Sequence, residues 1–250
     1  MIDAPDLLLD WGNSRMKWAL LVNDQLQAMQ AAVPLEPLQK AFSNLWGELD
    51  APRRVACVSV TDPLRMEQLA QFVSTRWGCP LHIAGSQKSA GRLINGYSQP
   101  SQLGADRWIA MLGAAARCSG AFAVIDAGTA VTVDVVDEQG LHQGGWILPG
   151  RALMNQALTQ NTEFLRPQLH DWPATLGRDT KTCIAGGVSA TQLGALNWLQ
   201  QYLPKHCDII LCGGDSQWLN SHIEQADCQP DLVLQGLAAW LKHHEMVQKH

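Results

Sequence analysis

The sequence predicts an α/β fold built as two duplicated domains, with mixed sheets flanked by helices and a cleft between the halves. Three observations carry this. Short apolar and β-branched runs alternate with stretches of helical period along the whole chain. A strand-turn-strand unit occurs twice, first as Leu7-Leu8-Leu9-Asp10-Trp11-Gly12-Asn13-Ser14 continued by Arg15-Met16-Lys17-Trp18-Ala19-Leu20-Leu21, then as Phe122-Ala123-Val124-Ile125-Asp126-Ala127-Gly128-Thr129 continued through Val136. Asp10 aligns with Asp126, Gly12 with Gly128 and Asn13 with Thr129, the mark of an internal repeat. No low-complexity linker interrupts the 250 residues, so domains 1–119 and 120–250 are expected to meet in a packed cleft, the C-terminal helix returning to the first.

Each element follows from local chemistry. Three leucines bounded by polar residues fit a short buried strand, and Asp-x-Gly-Asn-Ser is turn chemistry before apolar residues resume. Over 34–49 the apolar positions Leu35, Leu38, Phe42, Leu45, Trp46 and Leu49 follow a helical period. Arg54–Val60 is β-rich, Thr61-Asp62-Pro63 starts a helix over 64–77, and Leu81–Ala84 is a further strand. Residues 85–106 are turn-rich and run straight into a helix over 105–117. In the second half, Gly144-Gly145 is expected to precede a β run and to pack closely against a ligand or strand, with Pro149-Gly150 as its exit. Residues 151–160 read as helix and 161–178 as irregular. Asp179-Thr180-Lys181-Thr182 caps a helix expected to break or bend near Gly186-Gly187 and to resume through Tyr202. Asp208–Cys212 is a strand entering the Gly213-Gly214-Asp215 turn, and the chain ends in a helix from Leu232.

Composition excludes several classes. At 46% hydrophobic and 16% charged the chain is an ordinary globular one. A net charge of −5 without a basic run gives no support for nucleic acid or an anionic membrane as partner. The N-terminus lacks a signal-peptide n-region and no apolar run approaches the roughly 18 residues a membrane span needs, so a cytoplasmic location is expected. Seven scattered cysteines without a Cys-x-x-Cys pair read as free thiols. The eight histidines show no ligand spacing, and His243, His244 and His250 read as a solvated polar tail. Among ten tryptophans, Trp108, Trp198 and Trp240 fall at apolar helical positions and read as core or dimer interface.

The chemistry-bearing residues cluster at the turns. An aspartate ending a buried strand, followed by a glycine and small hydrogen-bonding side chains, can hold a metal-bound phosphate, although ordinary hairpins carry the same residues. Its repetition in each half favours nucleoside triphosphate binding: Asp10 would hold Mg²⁺, Gly12, Asn13 and Ser14 would contact phosphates, and Lys17 would add charge or face solvent. Gly104, Ala105, Asp106 and Arg107 fall at a helix N-terminus, which favours an anionic ligand, with a helix cap by Asp106 or a surface Asp-Arg pair as the plainer alternatives. Asp106, with a reference pKa near ~3.9, is the candidate base for a phosphoryl acceptor hydroxyl.

Five motifs in order resemble the type III pantothenate kinase family: Asp10-x-Gly-Asn-Ser-x-x-Lys17, Gly96-Tyr97 with Leu103-Gly-Ala-Asp-Arg107, Asp126-x-Gly-Thr-Ala-x-Thr-x-Asp134, Gly144-Gly-x-Ile-x-Pro-Gly150, and Gly213-Gly-Asp215. The resemblance covers nearly the whole chain. It implies two ribonuclease-H-like domains of the acetate and sugar kinase, heat-shock ATPase and actin superfamily, and ATP-dependent phosphorylation of pantothenate, the first step of coenzyme A synthesis. It implies Mg²⁺, a monovalent cation (K⁺ or NH₄⁺), and a homodimer. Asp106 then resembles the catalytic base; Tyr97, Gly104, Ala105 and Arg107 the pantothenate pocket; Asp126 the monovalent-cation ligand; and Thr129 an ATP contact. Thr180, with Thr182 close by, resembles the threonine that reaches pantothenate from the dimer mate. Cys212 stands where the family pattern has threonine, which bears on contacts at the nucleoside end. Two other readings compete: a non-catalytic regulatory paralogue, against which the joint presence of Asp10, Asp106, Arg107, Asp126 and Thr129 argues, and a related sugar or acyl-phosphate kinase.

Overall fold

The computed structural model describes residues 4–160, 172–223 and 225–248, which form two compact units. One comprises 1–119, 138–142 and 231–250, the other 120–137 and 143–230. In the first, β1 (Asp6–Trp11) pairs antiparallel with β2 (Met16–Val22), which also pairs with β3 (Gln25–Leu26) and β4 (Gln30–Ala32). After α1 (Leu38–Trp46), β5 (Arg54–Ser59) adds to β1 in parallel; after α2 (Pro63–Arg76), β6 (Leu81–Ala84) adds to β5 in parallel. The hairpin β7 (Ser89–Ala90) and β8 (Leu93–Ile94) precedes α3 (Ala105–Ala115).

The second unit repeats this order. The hairpin β9 (Phe122–Ala127) and β10 (Ala130–Val136) is followed by β11 (His142–Pro149), α4 (Arg151–Gln160) and α5 (Thr180–Leu199). Then β12 (Asp208–Cys212) adds to β9 in parallel and, after α6 (Ser216–Asn220), β13 (Ala226–Cys228) adds to β12 in parallel. The sheets run β3-β2-β1-β5-β6 and β11-β10-β9-β12-β13, so each Asp-x-Gly strand lies between an antiparallel hairpin mate and a parallel neighbour. The α/β duplication expected from the repeat is thus the architecture observed.

Leu7, Leu8 and Leu9 are all fully buried because both faces of β1 are covered, which is why the strand reads as a continuous apolar run instead of alternating. Leu7, Leu9 and Trp11 face a core with Phe42 and Trp46, where Trp11 meets Phe42 edge-on at 5.6 Å and Phe42 stacks on Trp46 at 5.5 Å. The other face receives α7 (Leu232–Gln248), which also crosses α3. That crossing is close: a Cβ at Gly236 would run into the Ile109 carbonyl, so only glycine permits it. In the second unit Ala123, Ile125, Ala127, Val131, Val133 and Val135 pack with Leu196, Leu199 and Leu219, leaving Asp126 on the opposite face.

Asp6 anchors the start of β1. Its buried carboxylate receives Nε and Nη2 of Arg53 at 2.8 and 2.7 Å and Nη2 of Arg54 at 3.0 Å. Burial by itself would raise its pKa, but the bonds and charges of both arginines pull it below the usual carboxylate value. A depressed folded-state pKa gives stability that is full above the unfolded value near ~3.9 and lost as pH falls through the lower folded one. Asp6→Asn is therefore expected to cost about 2 kcal/mol at neutral pH, tempered because Arg53 is half exposed, with wild type and variant converging below pH ~4 in denaturant titrations.

Several expectations need correction. The first helix covers 38–46 only, because Leu35, 72% exposed, faces away from the core. Residues 85–104 contain a small hairpin, and β3, β4, α6 and β13 are too short to give a periodic signal. The long helix does not break at Gly186-Gly187. It runs unbroken from Thr180 to Leu199, because Gly186 admits the Thr175 carbonyl where a Cβ would stand and buried Ala185, Val188 and Leu196 offset the weak propensity. Gly144 and Gly145 lie inside β11, and Gly144 meets no close neighbour; it borders a cavity of about 510 Å³ with Trp146 and Tyr202. His243 and His244 belong to α7, and His244 stacks on Trp240 at 5.0 Å instead of ending a solvated tail. His250 and residues 161–171 lie outside the described residues. Trp108 and Trp240 are buried whereas Trp198 is 55% exposed. All seven cysteines are free thiols.

Candidate active site

The first loop closes through Gly12 N–H donating to the Arg15 carbonyl at 3.1 Å. A Cβ on Gly12 would touch only that carbonyl at an ordinary 3.5 Å, so the fold itself does not require glycine here. Asn13 and Ser14 are exposed at the tip. Asp10 and Lys17 face each other across the hairpin with Nζ 3.9 Å from Oδ2, both side chains mostly covered, so Lys17 stands by the carboxylate and not in solvent. One carboxylate beside small polar side chains is a donor set that suits Mg²⁺ when water and phosphate complete its shell. Burial, followed by the nearby Asp10 charge, pushes the Cys57 thiol well above its ordinary pKa, which keeps it a protonated, inert core residue.

The loop entering α3 is built around Asn95 and Ser86. Asn95 Nδ2 donates to the Gln87 and Pro100 carbonyls at 3.1 and 3.2 Å, while its Oδ1 accepts from Tyr97 N–H at 3.0 Å. Ser86 Oγ donates to the Leu103 carbonyl at 2.7 Å. These bonds aim Tyr97 at Arg107, whose Nη1 donates to the Tyr97 hydroxyl at 3.1 Å, and the ring stacks on buried His142 at 5.8 Å. Arg107 is therefore a buried cation and not half of a surface pair. Gly104 occupies the N-cap without a side-chain bond, and Asp106 sits in the first turn, its Oδ1 accepting from Arg107 N–H at 2.8 Å. A Cβ on residue 104 would stand 2.7 Å from Asp106 Oδ1, so the glycine makes room for the carboxylate. Asp106 is held in place at the helix N-terminus, where its carboxylate takes one of the first-turn N–H groups. Asn95, Ser86 and His142 were not singled out by sequence; no short motif marks residues that act by holding a loop.

In the second unit Gly128 N–H donates to the Ala130 carbonyl at 2.9 Å, and again a Cβ would meet only ordinary contacts. Thr129 is exposed at the tip and Asp126 half-buried. Gly213 has φ +89, and a Cβ there would collide with Asp126 Oδ1 and the Ala127 carbonyl. The glycine thus lets the turn after β12 come close against the Asp126 carboxylate and the Ala127 carbonyl. Cys212 is buried under the turn.

At the start of α5 the two threonines divide. Thr182 is consumed by a capping box, its N–H bonded to Asp179 Oδ1 at 2.9 Å and its hydroxyl to the Asp179 backbone. These bonds hold the Asp179 carboxyl below its ordinary pKa. Thr180 is exposed.

Two units of the same strand order, each with an Asp-x-Gly turn between a central strand and its hairpin mate, define the acetate and sugar kinase, heat-shock ATPase and actin fold. Solved structures agree at the level of fold. A conserved Campylobacter jejuni protein assigned to the Baf family of transcriptional activators superposes with TM-score 0.62 at 19% identity, covering 96% of this chain and 99% of that one. Component A of (R)-2-hydroxyglutaryl-CoA dehydratase from Acidaminococcus fermentans does so with TM-score 0.55 at 12% identity, covering 98% and 100%. The type III pantothenate kinase family model matches residues 6–201. Type III pantothenate kinases of Dichelobacter nodosus, 34% identical over 247 residues (96% of this chain, 99% of the relative), and Alkalilimnicola ehrlichii, 38% over 246 residues (93% and 96%), align along the chain. The chain belongs to the type III pantothenate kinase family, and is a kinase.

Proposed function

We infer that this chain transfers the γ-phosphoryl group of ATP to the primary hydroxyl of pantothenate, giving 4'-phosphopantothenate, the entry to coenzyme A. The observation that carries the reading is the Asp106 carboxylate, fixed by Arg107 N–H in the first turn of α3, where the N-cap residue is a glycine that supplies no side chain. Asp106 takes the acceptor proton; Arg107 and Tyr97, with Gly104 and Ala105, seat the acceptor. Asp10, Gly12, Asn13, Ser14 and Lys17 hold the phosphates, with Thr129 as a further ATP contact and Gly213-Gly214 receiving the nucleoside. Asp10 would hold Mg²⁺ and Asp126 K⁺ or NH₄⁺, and these ions would supply charge neutralisation for the transferring group. The two ribonuclease-H-like halves divide at 119/120, with the C-terminal stretch 231–250 packing back on the first.

Thr180 is the residue that reaches the acceptor of a dimer mate, since Thr182 is spent on the cap. The exposed place of Thr180 at the start of α5 leaves it open to such a homodimer partner. No helix among the described residues is long and apolar enough to cross a membrane, which is compatible with action in the cytoplasm. A coupled assay of ADP release tests the reading: pantothenate-dependent turnover with Mg²⁺ and K⁺ is expected. No such turnover overturns it, and turnover only with sugar or acyl acceptors favours the related-kinase reading. Asp126→Ala is expected to abolish most of the K⁺ stimulation of kcat while sparing the Mg²⁺ requirement; an unaltered K⁺ titration removes the cation assignment.

A further inference from the structure

We propose that Arg151 is a positioning residue that fixes the Gly213-Gly214-Asp215 turn in the shape that receives the nucleoside end of ATP. The proposal rests on the nucleotide assignment above. Arg151, at the start of α4, is 5% exposed, and it grips Asp215 side-on: Nε lies 3.1 Å from Oδ2 and Nη2 2.7 Å from Oδ1. Its guanidinium is stacked by two indoles, 4.2 Å from the Trp218 ring and 5.1 Å from that of Trp172. Trp218 Nε1 in turn donates to the Trp172 carbonyl at 3.2 Å, which ties the stack together.

Two features mark this cluster as a device for geometry. Asp215 is the residue before α6, where a carboxylate ordinarily caps, yet it makes no cap bond because both oxygens are turned to Arg151. Arg151 Nη1 is buried with no hydrogen-bond partner among the described residues, a cost that an arrangement selected for stability alone would avoid. The connections also run to the right places. Gly150, immediately before Arg151, donates its N–H to the Thr129 carbonyl at 2.9 Å, and Asp215 N–H donates to the Ala127 carbonyl at 2.9 Å. Arg151 therefore links the tip of the second phosphate loop to the turn that follows β12.

The test is a double-mutant cycle with Arg151→Met and Asp215→Asn, reading KM for ATP, KM for pantothenate and kcat, beside the Kd for a non-hydrolysable ATP analogue by calorimetry. Each single variant is expected to raise KM and Kd for nucleotide about tenfold, with KM for pantothenate within about twofold, and the double variant to add little. Arg151→Lys, which keeps charge but loses the fork, is expected to recover only part of the loss and serves if Arg151→Met does not fold. Unchanged nucleotide Kd in Arg151→Lys and Asp215→Asn, an equal rise in both KM values, or full additivity overturns the proposal. The calorimetric arm needs no acceptor, so a wild-type protein that binds the analogue but ignores pantothenate defeats the functional reading and leaves Arg151 to be judged on Kd.

Discussion

Asp106→Asn is expected to lower kcat by about 10²–10⁴-fold while leaving the Kd for ATP within about twofold of wild type. The asparagine fills the same volume and can still accept from Arg107 N–H through its amide oxygen, so the first turn of α3 is kept. What it loses is the capacity to take a proton from the acceptor hydroxyl. Because phosphoryl transfer has little covalent chemistry for the protein to perform, this loss falls on the chemical step and not on binding. Stopped-flow turnover with calorimetric ATP titration separates the two. A parallel loss of turnover and ATP affinity, with a lowered Tm, would show that Asp106 serves only the helix.

Arg107→Met is expected to raise KM for pantothenate about 30–150-fold, with KM for ATP little changed. The guanidinium is 7% exposed, bonded to the Tyr97 hydroxyl at 3.1 Å and 5.9 Å from its ring, so its direction is set before any acceptor arrives. A charge-assisted bond from such a preorganised cation to the acceptor's carboxylate contributes about 2–3 kcal/mol, which gives that range at 1.4 kcal/mol per tenfold. Tyr97→Phe removes one aiming bond but keeps the ring on His142, and a rise of about threefold is expected. If Arg107→Met instead lowers kcat with KM unaltered, the cation acts on the transferring phosphoryl group and not on the acceptor.

The residues that could be read from sequence are those whose function demands a local pattern. Asp10 to Ser14 and Asp126 to Thr129 need a strand, a bare turn and a polar tip within eight residues, and both hairpins stand where the repeat puts them. Gly104 to Arg107 were legible because a loop ran straight into a helix. Legibility failed where neighbours at a distance decide. Gly186 looks like a break until the Thr175 carbonyl occupies its missing Cβ; Gly144 looks packed until its surroundings prove open.

Sequence by itself determined the duplicated α/β order, the two Asp-x-Gly turns and the acidic residue at the start of α3, because strand burial, turn chemistry and helix initiation act over a few neighbouring residues. The tertiary structure alone decided that Asn95 and Ser86 shape the Tyr97 loop, that Thr182 caps while Thr180 is left exposed, and that Arg151 meets Asp215 across 64 positions. Hydrogen bonds and ion pairs formed between distant segments carry no periodicity along the chain, so only the folded molecule brings their partners together.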